Sequence, residues 1–125
     1  MIYNALALLL AISQAEPELA QLDDEQFCEV VRYAVGQSGT PGKPGRPVFS
    51  RSVRVACNEK TVTVEYQLTT RDRAFRRWVR AYMLEIEPNA CSDEGLMVAF
   101  RERGWQQHYS FRSGNRRTIE HTIAC

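Results

Sequence analysis

Arginine is the residue type whose number and spacing point most clearly to chemistry in this sequence. Residues 71–80 contain five arginines and one aspartate. On a helix, the spacing i, i+3, i+4 and i+7 places four of them in one stripe: Arg73, Arg76, Arg77 and Arg80. Guanidinium groups are planar and make paired hydrogen bonds with carboxylate or phosphate groups. This arginine stripe, bordered by Trp78, is therefore predicted to bind an acidic partner.

The partner expected for the arginine stripe is an acidic protein surface or an anionic component of the cell envelope, such as a lipid headgroup or a phosphorylated glycan. Nucleic acid is not expected, because the net charge is only +1 and the chain is predicted to be exported. The alternative is a solvated outer face without a partner. In that case acidic residues of the first predicted helix would partly neutralise the stripe: Asp23, Asp24, Glu25 and Glu29.

Two histidines could bind a metal ion or take part in catalysis if they met on one face of the last predicted hairpin. A two-residue turn would place His108 opposite His121, whereas a three-residue turn at 113–115 would separate them. The longer turn brings the apolar side chains of both strands to one face: Trp105, Tyr109, Phe111, Ile119 and Ile123. Because burial selects the register that unites apolar residues, we expect His121 on the core face and His108 on the solvent face.

The sequence contains no recognisable arrangement of catalytic residues. No serine lies in a Gly-x-Ser-x-Gly motif. Asp93 and Glu94 stand at the start of a predicted helix, where carboxylates complement the helix dipole. We therefore predict no enzyme activity, no cofactor and no metal site. The alternative is a small cell-envelope hydrolase whose carboxylates and histidines are scattered along the chain.

Residues 1–15, MIYNALALLLAISQA, have the pattern of a signal peptide. An apolar run from Ala5 to Ile12 is followed by Ser13-Gln14-Ala15, which places small residues where a signal peptidase requires them. The run is shorter than the roughly 20 residues of a transmembrane helix, so no membrane span is expected. Cleavage after Ala15 would leave residues 16–125 in the periplasm or outside the cell. The alternative is a retained N-terminal helix.

The chain has four cysteines, all in the part predicted to be exported: Cys28, Cys57, Cys91 and Cys125. None forms a C-x-x-C pair, so zinc or thioredoxin-type chemistry is not indicated. Small exported domains typically contain disulfides. Three pairings are possible. We favour Cys28–Cys57 with Cys91–Cys125, each closing about 30 residues and contributing about 3 kcal/mol in the chain-entropy model; the alternative is Cys28–Cys91 with Cys57–Cys125.

The first cysteine lies in a predicted helix with a clear start. Asp23 can cap this helix and Gln26 stands where it would complete a capping box. Leu22 and Phe27 can pack together as a hydrophobic staple. Apolar residues then recur at helical spacing, and Gly36 is predicted to end the helix.

Residues 37–47 are predicted to form a loop rich in glycine and proline. Within it, GTPGKPGRP repeats the Gly-X-Y pattern of collagen three times. A collagen triple helix needs many such triplets and three chains, so this short stretch between a helix and a strand indicates a loop. Lys43 and Arg46 in this loop could contact a partner.

Two hairpins enclose two further helices. VFSRSVRVAC and TVTVEYQLT alternate as the first pair of strands, and WQQHYSFR and RTIEHTIA as the second. Between them, one helix is predicted from Asp72 to Glu87, stopping before Pro88, and another from about Ser92 to Gly104. The latter would be about 18 Å long, so Cys91 and Cys125 would meet only if it crossed the sheet steeply.

The end of the chain has the pattern C-S-D-x-x-L, then G-x4-Y, then I-x3-I-x-C, formed by Cys91, Ser92, Asp93, Leu96, Gly104, Tyr109, Ile119, Ile123 and Cys125. Together with the helix holding Cys28 and the VEYQL strand, this pattern resembles small exported bacterial α+β proteins of the quorum-sensing-regulated virulence factor type. The resemblance covers most of the chain after residue 15, and departs at GTPGKPGRP and at Cys57. It implies an exported, non-enzymatic protein and supports the pairing of Cys91 with Cys125.

The fold predicted for these 125 residues is a single α+β domain of order α-β-β-α-α-β-β. We expect a four-stranded antiparallel sheet with helices packed on one face, and two disulfides. The function predicted is that of a non-enzymatic exported binding protein, acting as an accessory, inhibitor or virulence-associated factor.

Overall fold

The computed structural model describes residues 19–38, 47–93 and 95–125. The predicted signal peptide, Lys43 and Arg46 lie outside these residues. The described chain has the predicted α+β class and element order: α1 (Asp24–Ser38), β1 (Val48–Ala56), β2 (Thr61–Leu68), α2 (Asp72–Ala90), α3 (Leu96–Glu102), β3 (Gln106–Arg112) and β4 (Thr118–Thr122).

The predicted capping box begins α1. The backbone N–H of Gln26 donates to Asp23 Oδ1 at 2.7 Å, and the backbone N–H of Asp23 donates to Gln26 Oε1 at 3.0 Å. Both residues of the predicted staple belong to the core, Phe27 fully buried and Leu22 partly buried. The helix continues two residues beyond Gly36, its predicted end, to Ser38. A single exposed glycine costs a helix only about 1 kcal/mol and does not have to end it.

The four strands form one sheet in the order β1-β2-β3-β4. Each predicted hairpin is antiparallel, as expected. The central pair differs from the antiparallel expectation, because β2 and β3 run parallel with Thr61 beside Gln106. The reason is the length of α2: its 19 residues span about 28 Å, enough to carry the chain back along the sheet. The chain therefore enters β3 at the end of the sheet where β2 began.

One face of the sheet forms the core, and the helices cover it. Along β2 the predicted alternation holds, with Val62, Val64, Tyr66 and Leu68 buried and the intervening residues more exposed. The apolar face of α2, opposite the arginine stripe, is also buried: Phe75, Val79, Tyr82, Met83 and Ile86. Helices on one face are therefore confirmed, and none of the described helices covers the opposite face, which we call the open face.

The structure corrects two further helix boundaries. The first is the end of α2, which was expected before Pro88 but continues through it to Ala90. Pro88 stands in the last turn, where its missing N–H removes one hydrogen bond only, and the helix closes as the Cys91 N–H donates to the Glu87 carbonyl at 2.9 Å. The second is the start of α3, which begins at Leu96 rather than near Ser92 and has only 7 residues.

Both favoured disulfides form, Cys28–Cys57 and Cys91–Cys125. Cys91 ends α2 and is not the start of a long helix, so the steep crossing expected from the sequence is not needed. The Cα atoms of Cys91 and Cys125 are 5.5 Å apart. Cys57 follows the end of β1 and Cys125 follows the end of β4, which places both disulfides at one end of the sheet.

The turn between β3 and β4 lies at the opposite end of the sheet. Arg112 pairs with Thr118, so the connecting loop comprises the five residues 113–117 rather than the predicted three. A shift of two residues leaves every side chain on its predicted face of the sheet, because side chains alternate between the faces with a period of two. The predicted division of faces is therefore confirmed, with Tyr109 and Phe111 buried.

Candidate functional site

The arginine stripe lies on the exposed side of α2. Its four side chains are all exposed, on the helix face away from the buried one: Arg73, Arg76, Arg77 and Arg80. The stripe is about 10 Å long, since a helix rises 1.5 Å per residue. The structure thus supports the predicted placement of the guanidinium groups on a solvent-facing surface.

Within the described parts of the chain, no ion pair includes any of these four arginines. Two of the four acidic residues expected to neutralise them, Asp24 and Glu29, pair elsewhere. Asp24 contacts Arg103 at 3.5 Å and Lys60 at 3.9 Å, and Glu29 contacts Arg32 at 3.1 Å. Asp23 caps α1 through its side chain.

Trp78 borders the stripe but is anchored in the core. Its ring stacks on Tyr82 with centroids 5.1 Å apart, and meets Tyr66 edge-on at 5.9 Å. The side chain is half-buried. Trp78 therefore stabilises the packing of α2 on the sheet, in addition to any contact it makes with a partner.

Other arginines hold the fold together. Arg103 Nη2 donates to the carbonyl oxygens of Leu19 at 2.9 Å and Leu22 at 2.6 Å, and its guanidinium lies 4.4 Å from the centre of the Phe27 ring. Arg101 donates to the carbonyl oxygen of Ala90 at 3.0 Å. Sequence reasoning did not identify these roles, because the partners of Arg103 are 81 and 84 positions away.

Sequence reasoning also missed a second group of exposed arginines. These residues stand just before α2 and in the β3–β4 loop: Arg71, Arg116 and Arg117. The loop is tied to the start of α2, since the Gly114 N–H donates to the Thr70 carbonyl at 2.8 Å and Asn115 Nδ2 donates to Asp72 Oδ1 at 3.2 Å. The sequence shows the arginines but carries no signal for this juxtaposition.

The two histidines lie on opposite faces of the sheet, as predicted. His121 Nε2 contacts Glu87 Oε1 of α2 at 2.7 Å, on the helix side. His108 Nδ1 contacts Thr122 Oγ1 at 2.8 Å, on the open side. Among the residues that the structure describes, no group of three or more His, Cys, Asp or Glu side chains could hold a metal ion.

The open face of the sheet carries a small polar depression. Its volume is about 170 Å³, and it crosses the strands between Ser52, Gln67, Ser110 and Thr118. Glu65 in its wall is paired with Arg54 at 3.1 Å. The depression is lined mostly by hydroxyl, amide and charged groups, with Arg112 at its edge beside Gln67.

Over the residues covered by the structure, no helix is long and apolar enough to cross a bilayer. Comparison of the chain with family models, with curated proteins and with solved structures finds no match. The resemblance to exported virulence factors therefore remains a prediction.

Proposed function

We propose that this chain is a non-enzymatic exported binding protein that contacts an acidic partner through the arginine stripe of α2. The partner is an acidic protein surface or an anionic component of the cell envelope. The observation that carries the proposal is that four exposed guanidinium groups share one helix face without an ion pair to any described residue. The two disulfides support export, because such bonds persist in oxidising compartments.

The spacing of the stripe opposes folding and therefore favours a role in binding. Arg73 and Arg77, like Arg76 and Arg80, stand four residues apart on a helix. Like charges at that spacing destabilise a helix by roughly 0.2–0.5 kcal/mol per pair. In α1, by contrast, Arg32 pairs with Glu29. An anionic partner would remove the repulsion along α2 and make charge-assisted hydrogen bonds with the same groups.

The test is charge reversal in the stripe, Arg76→Glu with Arg80→Glu, followed by binding to immobilised poly-glutamate. We expect binding to weaken about tenfold, because each exposed ion pair contributes up to about 1 kcal/mol. Wild-type binding should also fall as salt rises, since the screening length shortens to about 3 Å at 1 M.

The matched control is Arg32→Glu with Arg54→Glu, which changes the net charge equally at two exposed arginines that already have carboxylate partners. This control should retain most of the binding. Equal losses in both double variants would show that only net charge matters and would contradict the stripe as a site. Thermal melts of all variants should remain close to that of the wild type.

A further inference from the structure

We infer that the arginine stripe and the β3–β4 loop form one continuous surface that binds the anionic headgroups of a lipid membrane. This surface, the basic end, is formed by Arg71, Arg73, Arg76, Arg77, Arg80, Arg116 and Arg117. The inference rests on the proposed function and specifies its partner.

The β3–β4 loop is held at the start of α2 by a defined set of hydrogen bonds. The Gly114 N–H donates to the Thr70 carbonyl at 2.8 Å, and Asn115 Nδ2 donates to Asp72 Oδ1 at 3.2 Å. Inside the loop, the N–H of Arg117 donates to Ser113 Oγ at 2.8 Å, and Ser113 is buried. These contacts place Arg116 and Arg117 next to the first turn of α2, where the stripe begins.

The charge of the basic end is large and nearly uniform. Residues 69–80 contain five arginines and the loop residues 113–117 contain two, with Asp72 the single acid in both segments. Asp72 already accepts a hydrogen bond from Asn115. None of these seven guanidinium groups makes an ion pair with a described residue.

Within the described chain, most arginines outside the basic end have a carboxylate partner. Arg32, Arg54, Arg101 and Arg103 each contact a carboxylate. The exceptions are Arg51, which lies over the ring of Tyr66 at 5.9 Å, and Arg112, which lines the depression on the other face of the sheet. The basic end therefore concentrates seven arginines that have no ion pair to a described residue.

The shape and the apolar residues of this surface favour a membrane over a small molecule. The outer side of a helix and the tip of a hairpin form a projecting surface, which cannot enclose a small ligand. Leu84 is 69% exposed and lies one turn beyond Arg80 on the same side of α2. Phe49, also 69% exposed, follows Val48, which pairs with Leu68 at the same end of the sheet.

Arginines flanked by exposed apolar side chains match the interface of an anionic bilayer. The guanidinium groups would contact lipid phosphates, while Leu84 and Phe49 would enter the boundary between headgroups and acyl chains. An acidic polymer in water offers the charges without the apolar layer. The two apolar side chains therefore distinguish a lipid partner from an acidic protein.

The experiment measures co-sedimentation of the exported chain with phosphatidylcholine vesicles, with and without phosphatidylglycerol. We expect binding only to the vesicles that contain phosphatidylglycerol. Arg116→Gln with Arg117→Gln should weaken that binding by more than tenfold, since each basic residue near an anionic surface contributes about fivefold. Arg32→Gln with Arg54→Gln, which changes the net charge equally, should leave it nearly unchanged.

Leu84→Ser and Phe49→Ser should weaken binding to the vesicles and leave binding to poly-glutamate unchanged. Binding to poly-glutamate without binding to anionic vesicles would overturn the lipid partner and leave the proposed function standing. Failure to bind either probe would overturn both. If the Arg116/Arg117 variant and the Arg32/Arg54 control lose vesicle binding equally, the β3–β4 loop is not part of the binding surface.

Discussion

The hydroxyl groups of Tyr66 on β2 and Tyr82 on α2 are 2.5 Å apart and share a hydrogen bond inside the core. The two rings meet edge-on with centroids 5.1 Å apart. This pair links the sheet to the helix that carries the arginine stripe, at the level of Trp78, which stacks on Tyr82. The position of the exposed arginines therefore depends on a buried polar contact beneath them.

The buried tyrosines predict a loss of stability at alkaline pH. Burial raises the pKa of Tyr82 well above its usual value of about 10, and the nearby Tyr66 and Tyr109 raise it further. Burial likewise raises the pKa of Tyr109. The folded state favours the neutral phenols. Their contribution to the free energy of unfolding is therefore complete below about pH 10, the pKa of tyrosine in the unfolded chain, and is lost as the pH rises above it.

We expect the free energy of unfolding, measured in urea, to decline above about pH 10. Tyr82→Phe should reduce the steepness of this decline, because it removes one group whose pKa is raised. Tyr33→Phe is the control, since Tyr33 is exposed. Tyrosinate absorbance that develops for every tyrosine near pH 10 while the protein stays folded would contradict the prediction.

The disulfides are expected to contribute substantially to stability. Cys91→Ser with Cys125→Ser opens a bond between residues 34 positions apart and should lower the free energy of unfolding by about 3 kcal/mol. Urea unfolding measures the change. Peptide mapping without reduction should recover Cys28 with Cys57 and Cys91 with Cys125; a peptide joining Cys28 to Cys91 would refute the pairing.

Two glycine substitutions should have opposite effects on stability. A Cβ at Gly114 would lie 2.7 Å from the Thr69 carbonyl oxygen, so Gly114→Ala must displace the β3–β4 loop and should cost about 1–3 kcal/mol. A Cβ at Gly36 meets no described atom within 4 Å, and Gly36 lies inside α1. Gly36→Ala should therefore stabilise by about 0.5–1 kcal/mol. If Gly114→Ala and Gly36→Ala changed stability equally in thermal or urea unfolding, the β3–β4 loop would not be packed against Thr69.

Arginine is expected to have two different roles according to its surroundings. Arg103→Gln removes donors to the Leu19 and Leu22 carbonyls and should lower the free energy of unfolding by about 1–3 kcal/mol. Arg80→Gln, on the exposed stripe, should change it by less than about 0.5 kcal/mol. Urea unfolding of both variants provides the comparison. A larger loss of unfolding free energy in Arg80→Gln than in Arg103→Gln would mean that the stripe stabilises the fold.

Export predicts a defined N-terminus. Mass spectrometry of the protein recovered from the periplasm or the medium should show a chain that starts at Glu16, because Ser13 and Ala15 supply the small residues that signal peptidase requires. Ala15→Arg should block cleavage and retain the full mass. Recovery of an intact chain from Met1 in the wild type would contradict export by a cleaved signal peptide.

Features set by neighbouring residues were predictable from the sequence. The capping box of Asp23 and Gln26, the alternation along β2 and the arginine stripe each depend on a spacing of a few residues, where the geometry of a helix or strand fixes which side chains meet. The separation of His108 from His121 followed in the same way, because burial determines which face of the hairpin is apolar.

Only the tertiary structure decided the direction of the central strands and the contacts between residues far apart in the sequence. Alternation is the same in parallel and antiparallel strands, so only the return path through α2 makes β2 and β3 parallel. The same path brings residues 113–117 against Thr70 and Asp72 and so places the arginines of the β3–β4 loop near the start of α2. It also brings Arg103 to Leu19, 84 positions away. Contacts at such separations arise from packing the whole chain, and no spacing in the sequence encodes them.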